Sequence, residues 1–241
     1  MKDIINHLIL YMSLVLLGLS CTANKNVKKQ MSENEEFIYQ SIYNQIRMGF
    51  HSIDEIKANV IEEIEDNEFE KEISSEWVNR TIKREFDILK VESETWKHPT
   101  DTERLITAFE ELSKFKIIAL HNAGYTTRDG EDEVLEIERK LKELDKKSDG
   151  YCFYHEQDLE RALAPNNPNL LIAFQKVNNS NDEITIAIGK KIVEVLKNNN
   201  FKVNWNETVD NKIELTGFSW KKIYNSLDEN ILDHQRVLKL M

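Results

Sequence analysis

The sequence predicts an α+β fold, with a helical amino-terminal part followed by a mixed sheet covered by helices. Three observations carry this expectation. From Glu35 to Lys114 the apolar residues recur at three- and four-residue spacing, the period of helices with one buried face. After Lys114 short apolar runs alternate with helical stretches, in the order βαβαβαββ, as in a sheet with helices packed on it. The chain has 241 residues; without its first twenty it still suffices for one large domain.

In the helical part, Phe37, Ile38, Ile42 and Ile46 form one stripe. Ser52 and Glu55 have the spacing of a capping box ahead of Ile53, Ile56, Val60 and Ile64. Ser74 or Ser75 opens a third helix with Val78, Ile82, Phe86 and Leu89 on its buried face. His98-Pro99-Thr100 breaks the run, and Thr100 or Asp101 caps a fourth helix carrying Leu105, Ile106, Phe109 and Leu112.

The period then changes. Lys116 to Asn122 is apolar on both faces, as a covered strand would be. A turn-rich loop from Ala123 to Gly130 precedes a charged helix running to about Lys146. Gly150 to Glu156 reads as a second covered strand, trailed by a short helix near Asp158 to Leu163. Pro165 and Pro168 bracket a loop before a third strand, Asn169 to Val177. Asp182 starts a helix with Ile184, Ala187, Ile188, Ile192, Val195 and Leu196, which Asn198-Asn199-Asn200 ends. Phe201, Val203 and Trp205 alternate with polar residues, Ile213 to Trp220 makes a last strand, and Ile223 to Leu240 reads as a terminal helix with Leu227, Ile231 and Leu238 in line.

Ahead of this domain (34–241, divided at 114 into helical and sheet parts) lies a segment of another kind. Lys2 opens it, Leu8 to Leu19 is nearly all apolar, and Ser20-Cys21 follows. The run is shorter than the roughly 20 residues that span a bilayer, and its order suits a cleaved leader, residues 1–21. A cysteine at the boundary points to lipidation of Cys21, which makes the membrane a partner through the lipid and the cell envelope the expected location. Gly18 stands where such signals usually carry a Leu. A plain secretory signal that ends in Cys and a cytoplasmic product starting at Met31 are the alternatives. Thr22 to Glu33 is polar and reads as a tether.

Removing the first twenty residues takes away one acid and one base, Asp3 and Lys2, so the net charge stays at −11. That balance argues against nucleic acid, whose phosphates need clustered Lys and Arg. With Cys21 committed, Cys152 has no partner for a disulfide, and in the apolar run Tyr151-Cys152-Phe153-Tyr154 it reads as a small core residue. Trp77, Trp96, Trp205 and Trp220 fall on expected core faces and read as packing. The acid run from Glu62 to Glu72 reads as a solvated helix end.

Two segments, Ala119-Leu120-His121-Asn122-Ala123-Gly124-Tyr125-Thr126 with Asp129-Gly130 behind it, and Gly150-Tyr151-Cys152-Phe153-Tyr154-His155-Glu156-Gln157-Asp158-Leu159-Glu160, resemble a bacterial domain of unknown function, number 6891 in that series. The resemblance extends to Phe201–Trp205 and Phe218–Lys221 and covers residues 35–225. It implies no activity, because that family has none assigned. It also implies a domain that mostly occurs without a signal peptide, from which this chain departs.

His121 and His155 are the residues with the most chemical potential. Each ends a covered strand just before a helix; if the strands are parallel neighbours, both imidazoles reach the sheet's carboxyl edge, where ligands of open α/β sheets bind. Asp129 follows the first and Asp158 the second, and two His with two acids have the donor types of a metal or acid–base site. The spacing matches no metal motif, no phosphate loop or Gly-x-Ser-x-Gly elbow exists, and acids in first turns also serve as caps. The expectation is a non-enzymatic binding or interaction domain, without cofactor, holding a protein or small polar ligand near His121, Asp129, His155 and Asp158. A metal-assisted hydrolase built on the two histidines is the alternative.

Overall fold

Helix capping explains where most of the chain turns. The computed structural model describes residues 31–164, 166–226 and 230–241; Cys21 with its apolar run, most of the tether, Pro165 and Leu227 lie outside them. Helices α1 (Glu33–Met48), α2 (Ile53–Asp66) and α3 (Ser75–Ser93) form a cap with its own core. Ser52 and Glu55 close the capping box at the start of α2, and the Ser74 side chain accepts the Trp77 N–H at the start of α3. Ile38, Ile42, Ile46, Ile56, Val60, Ile64, Val78, Ile82 and Leu89 are buried together. Phe37 departs from the expected stripe: it is 51% exposed.

Thr100 and Glu103 make a second capping box for α4 (Asp101–Lys114). The sheet follows, as β1 (Ile117–Leu120), α5 (Thr127–Glu143), β2 (Gly150–Phe153), α6 (Glu156–Leu163), β3 (Asn169–Gln175), α7 (Asp182–Asn198), β4 (Val203–Asn204) and β5 (Ile213–Thr216), with α8 (His234–Leu240) last. This is the expected βαβαβαββ order, in the α+β class. In space the strands run β1-β2-β3-β5-β4, β1 and β2 parallel and the other neighbours antiparallel. Strand alternation divides the core. Ile117, Ala119, Cys152 and Tyr154 meet α4, α6 and α7 on one face; Ile118, Leu120, Tyr151 and Phe153 meet α5 and α8 on the other.

Three boundaries differ from the sequence reading. The loop after β1 is shorter, because Thr126 and Asp129 form a capping box that starts α5 at Thr127. Strand β2 ends at Phe153, since the Tyr154 carbonyl turns to accept the Ala123 N–H at 3.0 Å. The terminal helix is short. Ile223 packs on the cap core, Ile231 on one face of the sheet, and Val237 and Leu238 on the other, and no single helix stripe reaches three clusters. Only after Asp233, whose side chain accepts the Gln235 N–H, does a helix form. Among the described residues, no helix is long and apolar enough to cross a membrane.

Where α5 crosses β2 the approach is close enough to require glycine. A Cβ on Gly130 would sit 2.4 Å from Cε2 of Phe153, itself fully buried. Gly130→Ala is therefore expected to destabilise the protein by about 1–3 kcal/mol, as overpacking does, read from the urea midpoint at unchanged slope.

Candidate functional site

The two chain segments that leave β1 and β2 run on side by side. The Glu156 N–H donates to the Gly124 carbonyl at 3.0 Å, beside the Ala123–Tyr154 bond already described. This pairing brings Asn122 and Tyr125 next to α6 at the sheet's carboxyl edge. Helix α1 lies across from them, and its Asn44 amide donates to Glu160 Oε1 at 3.0 Å. Between the two walls is a cleft of about 490 Å³, within the usual range for small-ligand sites.

The cap wall carries polar side chains at helical spacing. Gln40 Nε2 donates to Asn44 Oδ1 at 2.8 Å, which passes the chain of bonds on to Glu160. Asn59 of α2 donates to Gln45, and Gln45 donates to Ser41, at 3.0 and 3.1 Å. Phe37, Met48 and Phe50 supply the apolar lining, and Glu63 adds a carboxylate from α2. The sheet wall carries Asn122, Tyr125, Glu156 and Glu160. Tyr125 is 53% exposed, so both Phe37 and Tyr125 offer aromatic surface here.

Two groups on the sheet wall differ from their neighbours. Asn122, held in left-handed backbone at φ +47, buries its Oδ1 with no donor to it. Asn tolerates that conformation better than most residues. The Glu156 carboxyl is pushed above its usual range, first by loss of water and then by the Glu160 carboxylate beside it.

The residues expected from the sequence sit close by, but each has partners of its own. The His121 ring stacks on Phe109 at 4.5 Å between centroids, and its Nδ1 is 3.3 Å from the Tyr154 hydroxyl. Burial holds its pKa down at about 3, with Arg236 and Lys222 adding to the effect. The same burial pushes the Tyr154 phenol and the Cys152 thiol upward. A neutral imidazole and a protonated phenol share one hydrogen bond, with the tautomer setting which of them donates.

His155 caps α6. Its Nδ1 accepts the Asp158 N–H at 3.3 Å, and its Nε2 lies 3.1 Å from Asp158 Oδ2. With Nδ1 accepting, the neutral ring carries its proton on Nε2, facing that carboxylate. Lys212 Nζ lies 2.7 Å from the same oxygen and 2.9 Å from Nε2, and Arg161 donates to Asp158 Oδ1 at 2.6 Å. Desolvation lowers the His155 pKa most, with Asp158 opposing and Lys212 and Arg161 adding to it. Asp129 lies at the start of α5, where bonds from Thr126 hold its carboxyl below the usual range.

The structure thus joins His155 to Asp158, keeps His121 with Tyr154, and leaves Asp129 as an exposed cap. The residues that line the cleft, Asn122 and Glu156, each follow one of the histidines by a single position. The sequence marks Glu156 only as one of the acids just behind His155, and Asn122 not at all. The available signals were Glu156 and Glu160 four residues apart on one helix face without a base, and the amides Gln40 and Asn44 at the same spacing. Among the described residues, no three His, Cys, Asp or Glu side chains are grouped so as to hold a metal ion.

Residues 31–224 match the model of a domain of unknown function, DUF6891. The chain belongs to that family. The expected resemblance is therefore shown, over nearly the span read from the sequence. Neither the curated proteins nor the solved structures give a match.

The two lowered histidine pKa values have a consequence for acid stability. As pH falls through about 6.5 the unfolded chain protonates these rings while the folded chain does not. The unfolded state then binds more protons, so stability declines with falling pH. For His121 the decline continues to about pH 3. His121→Phe is expected to flatten this acid limb by close to one proton, ~1.4 kcal/mol per pH unit. Urea midpoints collected between roughly pH 6 and pH 4 read the slope, and an unchanged slope would show that the ring titrates normally.

Proposed function

We propose that this protein is a non-enzymatic binding domain whose ligand enters the cleft between the helical cap and the carboxyl edge of β1 and β2, and that a lipid on Cys21 tethers it to the cell envelope. The observation that carries the binding reading is the contrast between the two kinds of polar group at this edge. His155, Asp158 and His121 are paired within the protein, whereas Asn122 Oδ1 has no donor and Glu156 no cation. Buried polar groups without partners are rare in folded proteins and call for an explanation; a ligand that donates hydrogen bonds is one. The hydrolase alternative needs both imidazoles to converge with the acids, and their separate partners give it no support. The tether rests on the sequence alone, on the apolar run from Leu8 to Leu19 ending at Ser20-Cys21.

Ser41→Trp tests the site, because it projects a large side chain from α1 into the cleft. Ligands from a metabolite library that raise the melting temperature of the wild type are expected to lose that effect in the variant. A ligand at a hundredfold its Kd stabilises by about 2.7 kcal/mol, well above the ±0.5 kcal/mol scatter of surface substitutions. Ligand-induced stabilisation that persists in Ser41→Trp would move the site elsewhere. Cys21→Ala is expected to shift the protein from the membrane to the soluble fraction. Mass spectrometry of the wild-type amino terminus should show a chain beginning at a lipid-modified Cys21; an unmodified chain beginning at Met1 or Met31 would refute the anchor.

A further inference from the structure

We propose that the ligand of this cleft is a neutral carbohydrate, a short saccharide whose hydroxyl groups meet the amides of the cap wall and whose C–H faces rest on Phe37 and Tyr125. This deepens the binding reading above and rests on it. The cap wall presents Gln40, Ser41, Asn44 and Gln45 as one stripe of α1, with Asn59 of α2 beside it. Two relays of hydrogen bonds fix these side chains, Gln40 to Asn44 to Glu160 and Asn59 to Gln45 to Ser41. Each amide donates one N–H within its relay and has a second, and the Gln40 and Asn59 carbonyls at the outer ends accept no hydrogen bond from the described residues. Donors and acceptors thus alternate along the wall. Sugar hydroxyls match such a lining, because each one donates and accepts at a single oxygen. Side chains already held by one another also lose less rotamer freedom when a ligand arrives.

The aromatic rings are an independent observation. Phe37 and Tyr125 stand exposed on the two walls of the cleft. The face of an aromatic ring is the negative side of its quadrupole, on which the C–H groups of a sugar ring settle, and covering it removes apolar surface from water. Charge narrows the class further. Glu63, Glu156 and Glu160 line the cleft, and among the described lining residues His51 is the one side chain able to take a positive charge. One imidazole does not balance three carboxylates, so phosphorylated, sulfated or carboxylated ligands are repelled. The same carboxylates accept strong hydrogen bonds from hydroxyl groups. A simple cation would use the carboxylates and leave both amide relays without a role.

A glycan array probed with the purified, fluorescently labelled protein tests the idea, since clustered display makes weak single-site binding visible. Neutral glycans are expected to bind, and their sulfated or sialylated counterparts are not. Titration calorimetry with the neutral glycan that gives the strongest signal then compares variants. Phe37→Ala with Tyr125→Ala should weaken it by about tenfold or more, the scale of losing two aromatic platforms. Gln40→Ala with Asn59→Ala, at the outer ends of the two relays, should weaken it by about tenfold. Phe115→Ala removes a comparably exposed ring outside the cleft and should leave the affinity within about twofold. All of these side chains are exposed, so melting temperatures close to the wild type separate a binding loss from a folding loss.

An array without glycan binding would overturn the proposal, as would a preference for anionic glycans or an equal weakening by Phe115→Ala. If a metabolite of another class stabilises the wild type and loses that effect in Ser41→Trp while no glycan binds, the cleft stands as a site and the carbohydrate inference fails alone. If glycan binding survives Ser41→Trp, both readings fail.

Discussion

The cleft depends on one turn being fixed to the sheet. Met48 ends α1, yet its side chain belongs to the core of the sheet and not to that of the cap. Its carbonyl accepts the Trp220 indole N–H at 3.1 Å. Phe50 meets Trp220 edge-on at 5.7 Å, and Tyr154 meets it from the sheet side at 5.9 Å. Gly49 permits this geometry: it lies at φ +66, and a Cβ there would come within 2.8 Å of the Lys222 carbonyl oxygen. Each aromatic pair contributes about 0.5–1.5 kcal/mol beyond its buried area, so the turn is held from three sides. The Asn44–Glu160 bond adds a second attachment one turn back along α1. Toward its amino terminus α1 leaves Phe37, Gln40 and Ser41 along the open side, and the gap beside them is the cleft.

The electrostatics around this seam separate structural charge from available charge. Asp158 is fully buried, but Arg161, Lys212 and His155 all serve its carboxylate. Removing one partner from such a cluster is costly, which marks it as part of the framework. Glu156 sits two residues away with the opposite arrangement: it is partly desolvated, next to another acid, and reached by no base. Its place in the first turn of α6 suits the helix dipole, while burial and the Glu160 carboxylate oppose its charge. Its side chain lines the cleft.

Much of the fold was legible because its signals are local. The Ser52–Glu55 and Thr100–Glu103 capping boxes, the apolar period of α2 and α4, and the covered runs at β1 and β2 all follow from neighbours in sequence. The terminal segment was not, because Ile223, Ile231 and Leu238 lie at helix-like spacing and still serve three different cores. Phe37 misled for a related reason. Its neighbours Ile38, Ile42 and Ile46 already fill the cap's interior, and its own position points to an opening that only the docked sheet creates.

Strand register explains where the structure places the two histidines that the sequence singles out. His121 and His155 attract notice by their chemistry, but the parallel register pairs Leu120 with Phe153 and therefore sets His121 beside Tyr154, facing the packed side. Beyond His121 the chain turns the other way as the strand ends. Asn122 thus reaches the crevice in left-handed backbone, and Glu156 reaches it from the first turn of α6. In an open sheet the crevice outside the strand ends is where ligands bind. Which side chains line it is decided by parity and by the first bond after each strand, here Ala123 to Tyr154 and Glu156 to Gly124. An imidazole one position earlier becomes part of the core, and its burial holds it neutral for the same reason that its neighbour is available.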